Sequence, residues 1–169
     1  MAASAIKLRL ATAADQSILE YWDSQPHVMA ASGDDDDWDW EEMLSKNVSW
    51  LVLLIAELDS RPIGMVQIID PREEETHYWG NCKPNLRAID IWIGEADDLG
   101  KGYGTVMMNL ALERCFAVPE VTAVLIDPLV TNVKACRFYE KLGFEFLEER
   151  LFGADLCRVY QLTRGRWEE

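Results

Sequence analysis

Asp97-Asp98-Leu99-Gly100-Lys101-Gly102-Tyr103-Gly104-Thr105 separates a strand-like run, Leu86 to Gly94, from a helix-like run, Tyr103 to Phe116. A glycine-rich passage from strand to helix aims several backbone N–H groups in one direction. With the positive end of the helix dipole they make a site for a phosphate or pyrophosphate. Spacing excludes two common loops of this kind. A Walker A loop, G-x-x-x-x-G-K-[ST], fails because Gly94 lies one residue too far from Gly100-Lys101 and Gly102 stands where Ser or Thr should be. A dinucleotide fingerprint, G-x-G-x-x-G, fails because its third glycine would fall on Thr105 or Met107.

Outward from the loop, periodicity sets the remaining elements. Ile6 to Leu10 alternates as a first strand, and a helix capped by Thr12 or Asp15 runs to about Asp23. Ser24 to Gly33 reads as irregular, and Asp34 to Asn47 as an acidic start followed by helix. Trp50 to Leu58 and Ile63 to Ile69 form a hairpin around Asp59-Ser60-Arg61-Pro62. Asp70 to Asn85 is a long polar loop holding Tyr78 and Trp79, and Glu73-Glu74-Glu75 in it reads as a solvated run. After the glycine loop and its helix, Val121 to Ile126 is a buried strand. Thr131 or Asn132 caps a helix to Leu142, and Phe144 to Leu162 closes as a hairpin around Gly153-Ala154-Asp155. The order β-α-α-β-β-β-α-β-α-β-β is an α/β mixed sheet, antiparallel early and parallel across the helix after the loop. Residues 1–169 read as a single domain.

The charge narrows the partners. Sixteen basic against 30 acidic residues give a net charge of −14, so nucleic acid and anionic membrane would be repelled and a cationic substrate attracted. No C-x-x-C occurs among the four cysteines and there are two histidines, so no metal site is expected. The longest uncharged apolar run, about Val48 to Ala56, is too short to span a bilayer. These features predict a cytoplasmic protein, monomer or homodimer, with no nucleic-acid or membrane partner.

Leu99-x-x-Gly102-x-Gly104 resembles motif A of the GNAT N-acetyltransferases, [QR]-x-x-G-x-[GA], with Leu99 in place of the usual Gln or Arg. About 30 residues on, Asn132, Ala135, Tyr139, Gly143 and Phe144 match motif B, N-x-x-A-x-x-x-Y-x-x-x-G-F. The element order is also similar to the GNAT fold over the whole chain. Arg87-Ala88-Ile89-Asp90, Pro119-Glu120-Val121-Thr122 and Ile126-Asp127-Pro128 resemble the aminoglycoside 6′-N-acetyltransferases, and siderophore-biosynthesis N-acetyltransferases share much of this pattern. The resemblance implies a sheet of about seven strands with four helices, splayed between strands four and five. It implies acetyl-CoA as co-substrate, no metal, and an amine acceptor. That acceptor is best matched by an aminoglycoside 6′-amine, with a lysine-type siderophore precursor, a small polyamine or a protein amine as alternatives. A CoA-binding module without catalysis is the reading from another class, and retention of both Asp90 and Tyr139 speaks against it.

Roles follow from the resemblance residue by residue. Leu99, Gly100, Lys101, Gly102, Tyr103, Gly104 and Thr105 would grip the pyrophosphate, mainly through backbone N–H groups. Main-chain groups of Ile91, Trp92 and Ile93 would pair with pantetheine, with Asn132 and Ala135 beside it. Asp90 would bind the substrate ammonium and accept its proton; a structural aspartate paired with Arg87 is the plainer reading. Tyr139 lies two helical turns beyond Asn132, about 10.5 Å along the axis. It would protonate the leaving thiolate, or else serve as a core tyrosine. Asp127 ends a strand and Asp155 tips a hairpin, and both are candidates for further ammonium groups of the substrate. Asp36, Trp38 and Asp39, in the run Asp34 to Glu42, combine carboxylates with indole and suit an aminated sugar ring. A solvated helix start favoured by the dipole is the alternative for that run.

Overall fold

A computed structural model describes residues 5–32 and 39–169. Strand β1 (Ile6–Leu10) passes through a 3₁₀ turn, Ala13–Asp15, into helices α1 (Gln16–Asp23), α2 (Pro26–Ala31) and α3 (Trp40–Ser45). Strands β2 (Leu51–Leu58), β3 (Arg61–Ile69) and β4 (Leu86–Ile93) follow, then α4 (Tyr103–Phe116), β5 (Ala123–Ile126) and α5 (Val133–Lys141). The chain closes with β6 (Glu145–Phe152), β7 (Asp155–Thr163) and a last helical turn, α6 (Arg164–Trp167). One seven-stranded sheet results, in the order β1-β2-β3-β4-β5-β7-β6, with β4–β5 as its parallel pair. No helix among the described residues is long and apolar enough to cross a membrane.

Among the described residues there are two helices more than the four expected. Segment 24–33 holds α2, where Pro26 occupies the first turn. Proline's fixed φ suits that position and its missing N–H costs nothing there. The first turn also shortens. Asp59 and Ser60 both take positive φ, 50° and 72°, which makes a two-residue hairpin loop. Arg61 and Pro62 therefore belong to β3, with Pro62 opposite Glu57 and next to a bulge that leaves Ile63 as the extra residue, a place where a strand tolerates proline.

Alternation along β3 and β4 divides the core. Val66, Ile68 and Ile89 pack with Met107, Met108, Ala111 and Leu112 of α4 and with Cys136 and Tyr139 of α5. On the opposite face, Met65 joins Leu19, Trp22 and Trp40, while Ile69 and Ala88 join Trp79, Phe152 and Val159. Gly94 lies flat on Trp22: a Cβ there would come within 2.1 Å of the indole.

Candidate active site

The site begins where the sheet parts. The parallel ladder runs Leu86↔Ala123, Arg87↔Val124, Ala88↔Leu125 and stops, while β4 continues to Ile93. The N–H of Gly94 donates to the carbonyl of Ile63 at 2.9 Å. Antiparallel alternation then turns the main chain of Trp92 and Asp90 toward β3, and that of Ile89, Ile91 and Ile93 toward the split. Of the three residues expected to pair with pantetheine, Ile91 and Ile93 turn their main chain to the split, whereas the main chain of Trp92 serves the β3 ladder opposite Met65. The Ile93 carbonyl already has a partner, His27 Nε2 of α2 at 2.7 Å, so that nitrogen carries the proton.

The glycine loop takes the form that an anion site needs. Gly100 and Gly102 have φ of 74° and 82°, and Gly102 is the N-cap of α4. The first turn-closing bond of α4 is from Val106 N–H to the Gly102 carbonyl, so the N–H groups of Tyr103, Gly104 and Thr105 have no intrahelical acceptor. Leu99 and Lys101 are exposed beside them. The loop is anchored from behind. Asp98 is buried and takes two bonds from Arg61, 2.9 and 3.0 Å, which hold its carboxyl below the usual carboxylate range. Gly104 differs from its neighbours: its φ is ordinary and a Cβ there would meet Phe138 at 3.5 Å, a normal contact.

A cavity of about 380 Å³ spans the split, lined by Asp90, Asp127, Asn132, Ala135 and Tyr139 among others. Asn132 caps α5, its Oδ1 accepting from Ala135 N–H at 3.2 Å. Tyr139 is 8% exposed, and its ring sits against Phe138 and Phe144 at 5.2 and 5.8 Å between centroids. Its hydroxyl makes no hydrogen bond to a described residue, unlike a hydroxyl retained to satisfy a core. Burial pushes its pKa up, and the charges of Asp90 and Asp127 push it further, so the phenol stays protonated. Asp90 projects from the other face of β4, between Ala88 and Trp92. Carboxylate and phenol thus reach one cavity from opposite faces of the sheet. Arg87 is turned to Asp70, at 3.5 Å.

The remaining acidic residues separate. Asp127 accepts the Tyr78 hydroxyl at 2.7 Å, and Tyr78 stacks on Phe152 with centroids 4.5 Å apart. Desolvation and the Asp127 charge raise the Tyr78 pKa, so it too remains a donor. Asp155 opens β7 and lines the cavity. Asp39 is exposed and caps α3, its Oδ1 accepting from Glu42 N–H at 3.1 Å. The dipole-favoured helix start describes its contact in the structure. Asp36 and Trp38 lie outside the described residues.

Two features were not expected. Glu74 is not solvated: it is 7% exposed and accepts from Thr76 N–H, Thr76 Oγ1 and Tyr78 N–H, folding the 70–85 loop onto itself. Buried Gln67 donates to Asp90 Oδ2 at 3.1 Å, and its own Oε1 is buried with no partner among the described residues. Such an acceptor costs about 1–3 kcal/mol. The only sequence signal was a lone polar residue in the run Ile63 to Ile69.

A parallel pair that parts beside a glycine-turned helix N-terminus, with a carboxylate and a phenol meeting at the opening, defines an acyl-CoA-binding transferase. Residues 11–152 match the family model of the acetyltransferase (GNAT) domain, and the chain belongs to that family. It is 32% identical over 148 residues to an aminoglycoside N(6′)-acetyltransferase type 1 of Klebsiella pneumoniae, covering 83% of this chain and 74% of that one. Among solved structures it resembles AAC(6′)-Ib in complex with ribostamycin and coenzyme A. The TM-score is 0.88 and the identity 29%, with 97% of this chain and 96% of that chain covered. AAC(6′)-Ib with coenzyme A and kanamycin gives a TM-score of 0.86 at 30% identity, covering 97% and 98%.

Proposed function

We propose that the protein transfers the acetyl group of acetyl-CoA to the 6′-amine of an aminoglycoside, and that residues 1–169 act as one domain in doing so. The observation that carries the reading is the meeting of Asp90 and Tyr139 from opposite faces of the sheet in one cavity at the split. Kinship to enzymes named for this reaction supports the substrate. So does an excess of 14 negative charges, which favours a polycation. The N–H groups of the glycine loop and of the first turn of α4, from Gly100 to Thr105, take the pyrophosphate; Leu99 only flanks it, its N–H being held by the Ala96 carbonyl at 3.1 Å. Ile91, Ile93, Asn132 and Ala135 border pantetheine.

The chemistry follows from the placement. Asp90 binds the ammonium and takes one proton, leaving a neutral amine. The amine nitrogen attacks the thioester carbonyl, the C–N bond forms, and collapse of the tetrahedral intermediate breaks the C–S bond. Tyr139 donates to the departing thiolate, the acetylated nitrogen gives up its surplus proton, which restores the Tyr139 phenol through solvent, and Asp90 releases the first proton to water. The Tyr139 pKa lies above that of an ordinary phenol, and this couples the two steps. Proton uptake neutralises Asp90, which removes one of the charges that hold the phenol's proton. Asp127 and Asp155, on the rim, take other ammonium groups of the acceptor. Thiol release measured with kanamycin, ribostamycin, lysine and a diamine tests the reading. Turnover with the aminoglycosides is expected to exceed that with the small amines. Preference for lysine or the diamine would replace the substrate assignment.

A further inference from the structure

We propose that Gln67 is a second acceptor for the amine that is acetylated. Its Nε2 holds the Asp90 carboxylate, and its Oε1 takes one N–H of the incoming ammonium. The proposal rests on the reading of the cavity as the acceptor site and assigns a further positioning residue to it.

Register sets the pair. Gln67 stands directly opposite Asp90 on the antiparallel β3–β4 ladder, so both side chains project from the same face. Gln67 is 5% exposed, and its neighbours on that face are apolar: Met65 packs in the Trp22 and Trp40 cluster, Ile69 in the Trp79 and Phe152 cluster. The amide's Nε2 is accounted for by Asp90, but its Oε1 is a buried polar atom with no hydrogen bond from these neighbours. The amide orientation is set by its partner. An ionised carboxylate only accepts, so Nε2 must face Asp90, and Oε1 is directed elsewhere. Oε1 is buried without a described partner, and the residue lines the cavity.

A primary ammonium supplies the donor that Oε1 lacks. It has three N–H donors. One serves Asp90 and a second serves Oε1. After Asp90 takes its proton, the bond to Oε1 remains and acts as a pivot, keeping the neutral amine seated while its lone pair turns to the thioester. An unpaired acceptor beside a carboxylate is also selective, because an acceptor group without N–H leaves it unpaired.

Gln67→Met keeps the volume and removes both hydrogen-bonding ends. With kanamycin as acceptor, kcat/KM for the amine is expected to fall about 10- to 100-fold, the size of one hydrogen bond to a charged group. KM for acetyl-CoA should stay unchanged. The acid limb of the pH profile should move to higher pH, because loss of an N–H donor favours the protonated carboxyl. Tyr78, Asp127 and Tyr139, which share the cavity with Asp90, are untouched by the substitution. The melting temperature should change little, because removal of a partnerless buried oxygen offsets loss of the bond to Asp90. A value of kcat/KM within about threefold of wild type with the acid limb in place overturns the proposal. So does a lowered melting temperature with unchanged turnover per folded molecule. If Gln67→Met does not fold, Gln67→Ala is read the same way. Should wild type ignore kanamycin and ribostamycin but acetylate lysine or a diamine, the substrate assignment fails. The same comparison on that amine then decides the role of Gln67.

Discussion

Replacing Tyr139 with phenylalanine separates a proton donor from a core residue. The ring is retained, so its edge-on contacts with Phe138 and Phe144 survive. Only the hydroxyl is lost, and it has no hydrogen bond to a described residue. A held core hydroxyl would cost about 1 kcal/mol on removal. Here the stability change should stay within about 0.5 kcal/mol, which for a chain of this size moves the melting temperature by no more than about 2 °C. Catalysis should respond differently. Loss of a positioned proton donor is worth about 10²–10⁴-fold. The fall should appear in kcat with KM for acetyl-CoA preserved, because the phenol acts on the departing sulfur. Thiol release under saturating acetyl-CoA and differential scanning fluorimetry on the same preparation read both quantities. A melting temperature several degrees lower with kcat within threefold of wild type would refute the assignment and return Tyr139 to the core.

Asp90→Asn should lose about 10²-fold or more in turnover, with acetyl-CoA binding by calorimetry intact; a few-fold loss with the acid limb kept would make Asp90 structural. Gly102→Val places a β-branched side chain at a φ of 82°, so acetyl-CoA affinity should fall before the fold is lost, and unchanged binding by the folded variant would remove the loop from the site. The Arg61–Asp98 pair holds a depressed carboxyl, so its stabilisation is present above about pH 4 and lost as pH falls through the lower folded value. Arg61→Met should therefore lower stability at pH 7 and shrink the difference from wild type toward pH 2; a pH-independent difference in melting temperature would contradict this. The net charge of −14 should make KM for an aminoglycoside rise with salt while acetyl-CoA binding, itself anionic, is not weakened by the same screening.

Much of the site was legible because its chemistry is carried by backbone form. Gly100 and Gly102 take the positive φ that a loop-to-helix turn needs, and Asn132 caps the helix that presents Tyr139. Those features depend on local spacing, which a sequence records. The split of the sheet followed from family likeness, and its cause is visible only in register: β5 ends at Ile126 while β4 runs on. Long-range pairs were not legible. The partnership of Gln67 with Asp90 spans 23 residues, and that of His27 with the Ile93 carbonyl spans 66. Neither leaves a trace in periodicity. Glu74 looked solvated because the groups that donate to it, on Thr76 and Tyr78, lie in a loop whose fold no pattern announces. Asp39 shows the reverse case. A carboxylate three residues before Glu42 is a helix-cap signal, and that local role was there to be read beside the substrate role.

The most direct test of the central claim is the position of the acetyl group on the product. Kanamycin incubated with acetyl-CoA and the protein, then resolved by two-dimensional NMR, should carry a single new acetyl on its 6′ nitrogen, formed in equal amount to the thiol released. Acetyl on a different nitrogen, or thiol released with kanamycin unmodified, would contradict it.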